Sequence, residues 1–453
     1  MKQSNFTMNY IYLIGFVLMG LLQADDQPSS SWSLEKCISM ALNNDPQMEI
    51  LKMEVDILRI KTAGATSKRT LPDLDLNLSS GRFYGRPVTM FSLQNIETIE
   101  EPLSVDEGDF LIGTVEMKYS LYHEGTFFGK NKDIDSISLE RIKQSNLKIE
   151  EYSQAVDYQV TVVYLETLYA QKKMLKQKEL LGLYQQKLEN AEKINKQGII
   201  SDNDLNAIEN EYRSAEEKLN VLRQSAEMQQ GQLARLIGIA EPVKLKNLQI
   251  APGFEELPKY EIARSLALDR NIQLSIVDSE IKAGLRNLSL QKKKFSPSVY
   301  TKAKYAKGSN FEDLSEDLFS VSLNVDFPIF DYFDNKQSIL IYQKEIAILR
   351  TQREALNRDL ENTIYEIYSN IAIINARIQK SESAKSQLEF KITDVESRQA
   401  LELVGVIDLT NLKIKNKILS IRLIESELER SLRVAIINKL IGNKSQTKAM
   451  QVR

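Results

Sequence analysis

The side chains with the most to do chemically are carboxylates gathered just past two glycine breaks. Asp202 and Asp204 follow Gly198-Ile199-Ile200-Ser201, and Asp408 follows Gly405-Val406-Ile407. On a single chain these groups have no partner for acid–base work. Repeated around a symmetric mouth they would form a ring whose negative potential favours cations. Asp202, Asp204 and Asp408 are therefore candidates for an electrostatic gate. Nothing else in the chain suggests catalysis. His123 is the only histidine and Cys37 the only cysteine, so neither a nucleophile–base pair nor a His/Cys metal site can be assembled from them. His123 falls near the end of a strand and reads as a junction residue, and Cys37 reads as a small buried one. A lone cysteine also rules out an internal disulfide. No glycine-rich phosphate loop is present, so nucleotide hydrolysis must belong to a partner. The expectation is a chain that is not an enzyme and carries no cofactor and no metal. Its net charge of −3 arises from 59 basic and 62 acidic residues spread along helix faces, and nothing in that balance calls for nucleic acid.

The elements that carry these carboxylates are unusually long. Residues 127–196 contain no proline, and residues 338–404 contain neither proline nor glycine. At 1.5 Å per residue each stretch could reach on the order of 100 Å as a helix. Ile339, Tyr342, Ile346, Leu349, Leu356, Leu360, Ile364, Ile367, Ile371, Ile374 and Ile378 step by threes and fours, with Arg353 filling one slot. That is the coiled-coil period, so the long helices must pack side by side. Gly198 can adopt the left-handed conformation that ends a helix. Ser201 can cap the next helix, with Asp204 three residues on as in a capping box. Gly405 and Asp408 are expected to repeat the arrangement.

Four short segments alternate with period two. Phe319, Val321, Leu323, Val325 and Phe327 face one way, and Ser320, Ser322, Asn324 and Asp326 the other. Leu74 to Leu78, Val115 to Leu121 and Val299 to Tyr305 alternate in the same manner. Each has about the length of a tilted membrane strand, roughly nine to eleven residues. Four strands cannot close a barrel, and lipid tolerates no open edge. Chains must then pool their strands; three copies would bring twelve, an even number. The loops Gly81 to Asp109 and Gly308 to Asp317 would be the outer ends. A half-buried sheet in a soluble domain is the alternative reading of the same alternation.

The chain also says everything twice. Ser33 to Gly238 is one pass and Tyr260 to Gly442 the other. The predicted organisation is a signal peptide over 1–24, a first repeat over 25–250, a second over 251–442 and a polar tail over 443–453. The signal rests on Lys2, the apolar stretch Tyr10 to Leu22 and a cleavage site after Ala24. Strands are predicted at about 72–80, 113–122, 297–306 and 318–328, and helix pairs at about 127–237 and 338–441.

Read in order, these features resemble outer-membrane efflux proteins of the TolC type. The resemblance is carried by Ser33-Leu34-Glu35 through Ala41-Leu42-Asn43-Asn44-Asp45-Pro46, by Asp326-Phe327-Pro328-Ile329-Phe330-Asp331, by the two glycine hairpins and by the paired Leu-Ile-Gly ends. It implies a mixed but mainly α fold: long helices forming an α-barrel in a homotrimer, and four strands per chain contributing to a 12-stranded barrel in the outer membrane. It implies a passive exit duct for efflux or type I secretion. The periplasmic tip, around Gly198, Ser201 and Gly405, would dock on an adaptor and an inner-membrane pump, and the strands would meet outer-membrane lipid. Family members often carry aspartates six and nine residues after the second hairpin glycine, where this chain has Asn411 and Ile414. Asn411 thus joins the gate candidates, with Asp408 or Asp204 as substitutes for the missing ring. At the strand-to-helix junctions Pro328 keeps the family's proline, whereas Ser120 replaces it in the first repeat. The competing expectation is a secreted coiled-coil scaffold or adhesin without a pore.

Overall fold

A computed structural model describes residues 32–84, 107–123, 125–245, 257–310, 314–329, 333–399 and 405–442. The expected signal peptide and the polar tail lie outside the described residues. In chain order the elements are α1 (Leu34–Asn44), α2 (Pro46–Thr70), β1 (Asp73–Tyr84), β2 (Glu107–His123), β3 (Thr126–Phe127), α3 (Lys132–Lys196), α4 (Asp202–Ile237), α5 (Tyr260–Arg270), α6 (Ile272–Lys293), β4 (Ser298–Asn310), β5 (Leu314–Asp326), α7 (Asp334–Gln399) and α8 (Val406–Leu440). The 65 residues of α3 and the 66 of α7 make each about 100 Å long. The expected stripe on α7 faces inward: Ile346, Leu360, Ile364, Ile367, Ile371 and Ile374 are buried.

The lateral order of these elements is the key to the architecture. The sheet runs β1-β2-β4-β5, antiparallel throughout. Beneath it the helices keep the same sequence across the wall, α2, α3, α6 and α7. Farther from the sheet the sequence becomes α4, α3, α8, α7. Thus α3 and α7 run the full height, while α2 with α4, and α6 with α8, share a lane end to end. Cross-links along α3 and α8 fix their sense. Tyr169 meets Ser431, Lys173 meets Glu425 and Glu179 meets Lys417, so numbers rise on one helix as they fall on the other. Both hairpin turns therefore lie at the end opposite the sheet.

The main core sits where the short helices pack. In the first repeat α1 lies against α3 and α4; in the second α5 lies against α7 and α8. Leu165, Leu168, Leu233, Ile237, Ile364 and Ile437 are fully buried there, each contributing about 1.5–3 kcal/mol relative to exposure. Cys37 belongs to this core, and burial pushes its thiol up to about 12, which leaves it unreactive. Both Leu-Ile-Gly ends turn left-handed, Gly238 at φ 77° and Gly442 at φ 64°. Asn44 Nδ2 donates to Ile237 O at 2.9 Å, locking the end of α1 to the end of α4.

The sheet has one apolar and one polar face, and cross-strand pairing sorts them row by row. Leu76, Val115, Tyr305 and Phe319 stand side by side, as do Leu74, Met117, Ala303 and Val321. On the opposite face Asp75, Glu116, Lys304 and Ser320 align. The apolar row is bare: Leu74 and Leu76 are 70% exposed and Phe319 is 71%. Strands β1 and β5 are the unpaired edges. All four strands run beyond the expected limits at their outer ends. Only three residues separate Asn310 from Leu314, so the expected Gly308 to Asp317 loop is mostly strand.

The junctions between sheet and helix differ between repeats. The first long helix begins at Lys132 rather than near Phe127. A short ribbon intervenes, in which Tyr122 and His123 pair with Phe127 and Thr126. Ser120 stands at the bulge that lets β2 continue, and Leu121 O accepts from Phe128 N at 2.9 Å. In the second repeat β5 ends at Asp326, just before Phe327-Pro328. Proline has no N–H to extend a ladder and holds the residue before it extended. Both junctions force a phenylalanine into positive φ, Phe128 at 52° and Phe333 at 64°.

Asp133, in the first turn of α3, ties the first junction to the second repeat. It is buried; Oδ2 accepts from Lys293 Nζ at 2.6 Å and Ser289 Oγ at 3.0 Å, and Oδ1 from Arg286 Nη1 at 3.4 Å. Burial alone would push this carboxyl up, but the bonds from Lys293 and Ser289 and the nearby positive charges hold it below its ordinary 3.8. A lowered folded pKa stabilises the fold above the unfolded value, and that contribution disappears as pH falls below 3.8 through the folded value. Asp133→Ala is expected to cost about 2 kcal/mol, less than a fully buried pair because the cations reach solvent. Asp133→Asn should remove this component of the acid loss, read by thermal unfolding monitored by circular dichroism at neutral and acid pH.

Candidate functional site

The two hairpin turns are built differently, although the sequence suggested copies. After α3 the chain closes a Schellman motif: Ile199 N donates to Ile194 O at 3.2 Å and Gly198 N to Asn195 O at 2.7 Å. Gly198 sits at φ 69°, the left-handed region expected of it. Ser201 then caps α4 in a reciprocal box. Asp204 N donates to Ser201 Oγ at 3.2 Å, and Ser201 N donates to Asp204 Oδ2 at 3.2 Å. The Ser201 hydroxyl donates to the same Asp204 oxygen at 2.7 Å. These bonds from Ser201 hold the Asp204 carboxyl below its usual range. Asp202 Oδ1 accepts from Asn195 Nδ2 at 3.0 Å, across the turn. Asp202 and Asp204 are thus exposed and locally held.

Gly405 departs from the expectation. Its φ of −65° and ψ of 141° are extended, and it occupies the N-cap position of α8. It is therefore the counterpart of Ser201, not of Gly198. The reason lies in spacing: Asp408 stands third in α8, as Asp204 stands third in α4. A Cβ on Gly405 would lie 3.5 Å from Asp408 Oδ2, so the carboxylate folds back over the glycine. Asp408 is exposed and Asn411 half-buried, while Ile414 is buried among neighbouring helices. Gly198, Ser201, Asp202 and Asp204 thus share one turn, and Gly405, Asp408 and Asn411 the other. Among the described residues no hydrogen bond or ion pair joins the two turns. Ser120 and Pro328 are far from both, at the base of the sheet.

Sequence reading missed the charged seams that brace the hairpins. Lys187, buried, donates to Glu211 at 2.6 Å between α3 and α4. Lys413 and Glu396 pair at 2.7 Å between α8 and α7. The signal was present only as scattered Lys and Glu. A groove of about 710 Å³ lies between α4 and α8, floored by α3 and lined by Tyr184, Asn210, Val221, Ile421 and Arg422 among others. Among the described residues no group of acids, histidines and cysteines could hold a metal ion, and no helix is long and apolar enough to cross a membrane.

No protein-family model matches the chain, and no curated protein matches it in sequence. Solved structures do match. CusC, solved in a study of folding and transmembrane channel formation, is 13% identical over 90% of this chain and 91% of its own, with a TM-score of 0.71. The outer membrane protein VceC of Vibrio cholerae is 16% identical over 90% and 95%, with a TM-score of 0.68. The outer membrane channel CmeC of Campylobacter jejuni is 12% identical over 94% and 92%, also at 0.68.

Proposed function

We propose that this chain, which has the fold of TolC-type outer-membrane channels, is one third of an exit duct. Three copies join into a 12-stranded barrel in the outer membrane, continued by a helical tube through the periplasm. The observation that carries the reading is the single lateral order shared by strands and helices, open on both sides. The edge strands β1 and β5 lack outer partners. The flanking helices bear exposed apolar side chains, Ile50, Met53, Ile57 and Ile60 on α2 and Ile341, Ile348 and Ile373 on α7. One flank of a copy meets the other flank of the next, a head-to-tail contact that closes into a ring. The bare apolar sheet face then meets lipid, and the polar face lines water.

Cargo moves through passively, and the chain performs no reaction. Energy comes from an inner-membrane pump acting through a periplasmic adaptor, or from a type I secretion transporter. The turns around Gly198, Ser201 and Gly405 and the groove between α4 and α8 are the seat of the adaptor. Asp202, Asp204 and Asp408 ring the periplasmic mouth, with Asn411 behind them, and favour cations there. The test combines extraction and conductance. The protein should resist salt washing, need detergent, run as a trimer and conduct in planar bilayers. Replacing Asp202, Asp204 and Asp408 together by asparagine, whose side-chain oxygen can still accept the hydrogen bonds made in these turns, should raise conductance and reduce cation preference. Unchanged currents would overturn the gate. A monomer released by salt would overturn the duct and favour the scaffold.

A further inference from the structure

A second cleft, of about 250 Å³, lies at the base of the sheet, far from both hairpin turns. It collects positive charge from two elements, Lys68 and Arg69 at the end of α2 and Lys118 on β2, and His123, where β2 ends, also lines it. Hydroxyls from Ser120 and Thr126 share its wall, and the N-terminus of α3 borders it at Asn131 and Ile134. That helix end adds a positive dipole. One carboxylate, Asp73, lines the cleft, and Asp135 stands behind it.

The guanidinium of Arg69 is incompletely used. Nη2 donates to Asp135 Oδ1 at 2.6 Å and to Thr66 Oγ1 at 3.3 Å, and Nε donates to Ala65 O at 3.4 Å. Nη1 is shut off from solvent without an acceptor, an arrangement that native folds rarely tolerate. Lys68 is exposed and in no ion pair among the described residues. The Lys118 ammonium lies 4.3 Å from the centre of the Tyr300 ring rather than on a carboxylate. With Arg69 already paired to Asp135, Lys68 and Lys118 against Asp73 leave an excess of one positive charge. Ammonium and hydroxyl groups lining one small volume, beside the Arg69 guanidinium, fit a tetrahedral oxyanion.

We infer that this cleft binds inorganic phosphate or a small phosphomonoester. Asp73, Lys118 and Ser120 belong to the polar face of the sheet, so the anion arrives from water. That source rests on the duct reading; the binding itself does not. The site places a positively charged station beside the strands, at the opposite end of the molecule from the carboxylates of the turns.

Isothermal calorimetry on the detergent-purified full-length protein tests it, with inorganic phosphate titrated at constant ionic strength. Saturable binding is expected, weakened about tenfold or more in a Lys68→Gln/Lys118→Gln double variant. Arg69→Gln would break the Asp135 pair as well, so the lysine variant carries the decision. Competition with dihexanoyl phosphatidylglycerol separates a lipid headgroup from a soluble anion. No saturable phosphate binding, equal affinity in the lysine variant, or binding of the lipid alone would each overturn the site. Heat is read without any current, so failure here leaves the conductance test standing.

Discussion

Arginine at Leu76 and Val321 should prevent the protein from assembling in membranes, whereas arginine at the adjacent Asn77 and Ser322 should be tolerated. Leu76 and Val321 lie in the two apolar rows of the sheet and are 70% and 66% exposed in the single chain. A charge on the lipid side of a barrel costs about 2–4 kcal/mol near the bilayer midplane, and a trimer would bear each substitution three times. Asn77 and Ser322 point to the opposite face, beside Thr114 and Lys302, where water remains available. The measurement is the amount of detergent-requiring, heat-modifiable oligomer in outer-membrane fractions. Equal loss from both pairs of variants would sink the facial assignment, because a one-residue shift reverses every side chain of a strand.

Gly129→Ala is expected to be the most damaging single methyl in the described chain. A Cβ there would sit 1.9 Å from Arg69 O and 2.6 Å from Arg69 C, both backbone atoms, and φ is +68°. The clash cannot be relieved by rotating a side chain, so α2 and the first junction must separate. A loss of about 3 kcal/mol or more is expected. Gly198→Ala is the control. Its φ is +69°, but nothing lies within 4 Å of the added carbon, so only the backbone penalty of about 1 kcal/mol remains. Chemical unfolding of the two variants side by side should separate them by at least about 1.5 kcal/mol. Similar losses would show that the close approach to Arg69 is not what demands glycine.

The contrast between these glycines explains what could be read from the chain beforehand. Alternation in Phe319 to Phe327 is a local property, and it appears directly as the exposed row of Phe319, Val321, Leu323 and Val325. The stripe on α7 is equally local. The glycine turns were legible as helix stops, because Gly198 needs no neighbour to adopt its conformation. Gly129 was silent, since its requirement comes from a carbonyl sixty residues away in sequence. The ribbon at Phe127 and the bulge at Ser120 were silent for the same reason. At the candidate gate, sequence found the carboxylates but misassigned Gly405, whose place is set by Asp408 folding back over it. Repeats that share a plan need not share its details, and the departures cluster at the ends of elements, where periodicity gives no guidance.

The open flanks have a consequence for biogenesis. A newly made copy reaches its destination with two strand edges untethered and a greasy sheet exposed. In the proposed trimer its survival would depend on how soon siblings arrive, a waiting time that lengthens steeply as synthesis slows. On the proposed duct reading, escort by holding factors and clearance of stragglers by proteases would follow, since no single copy could finish the wall.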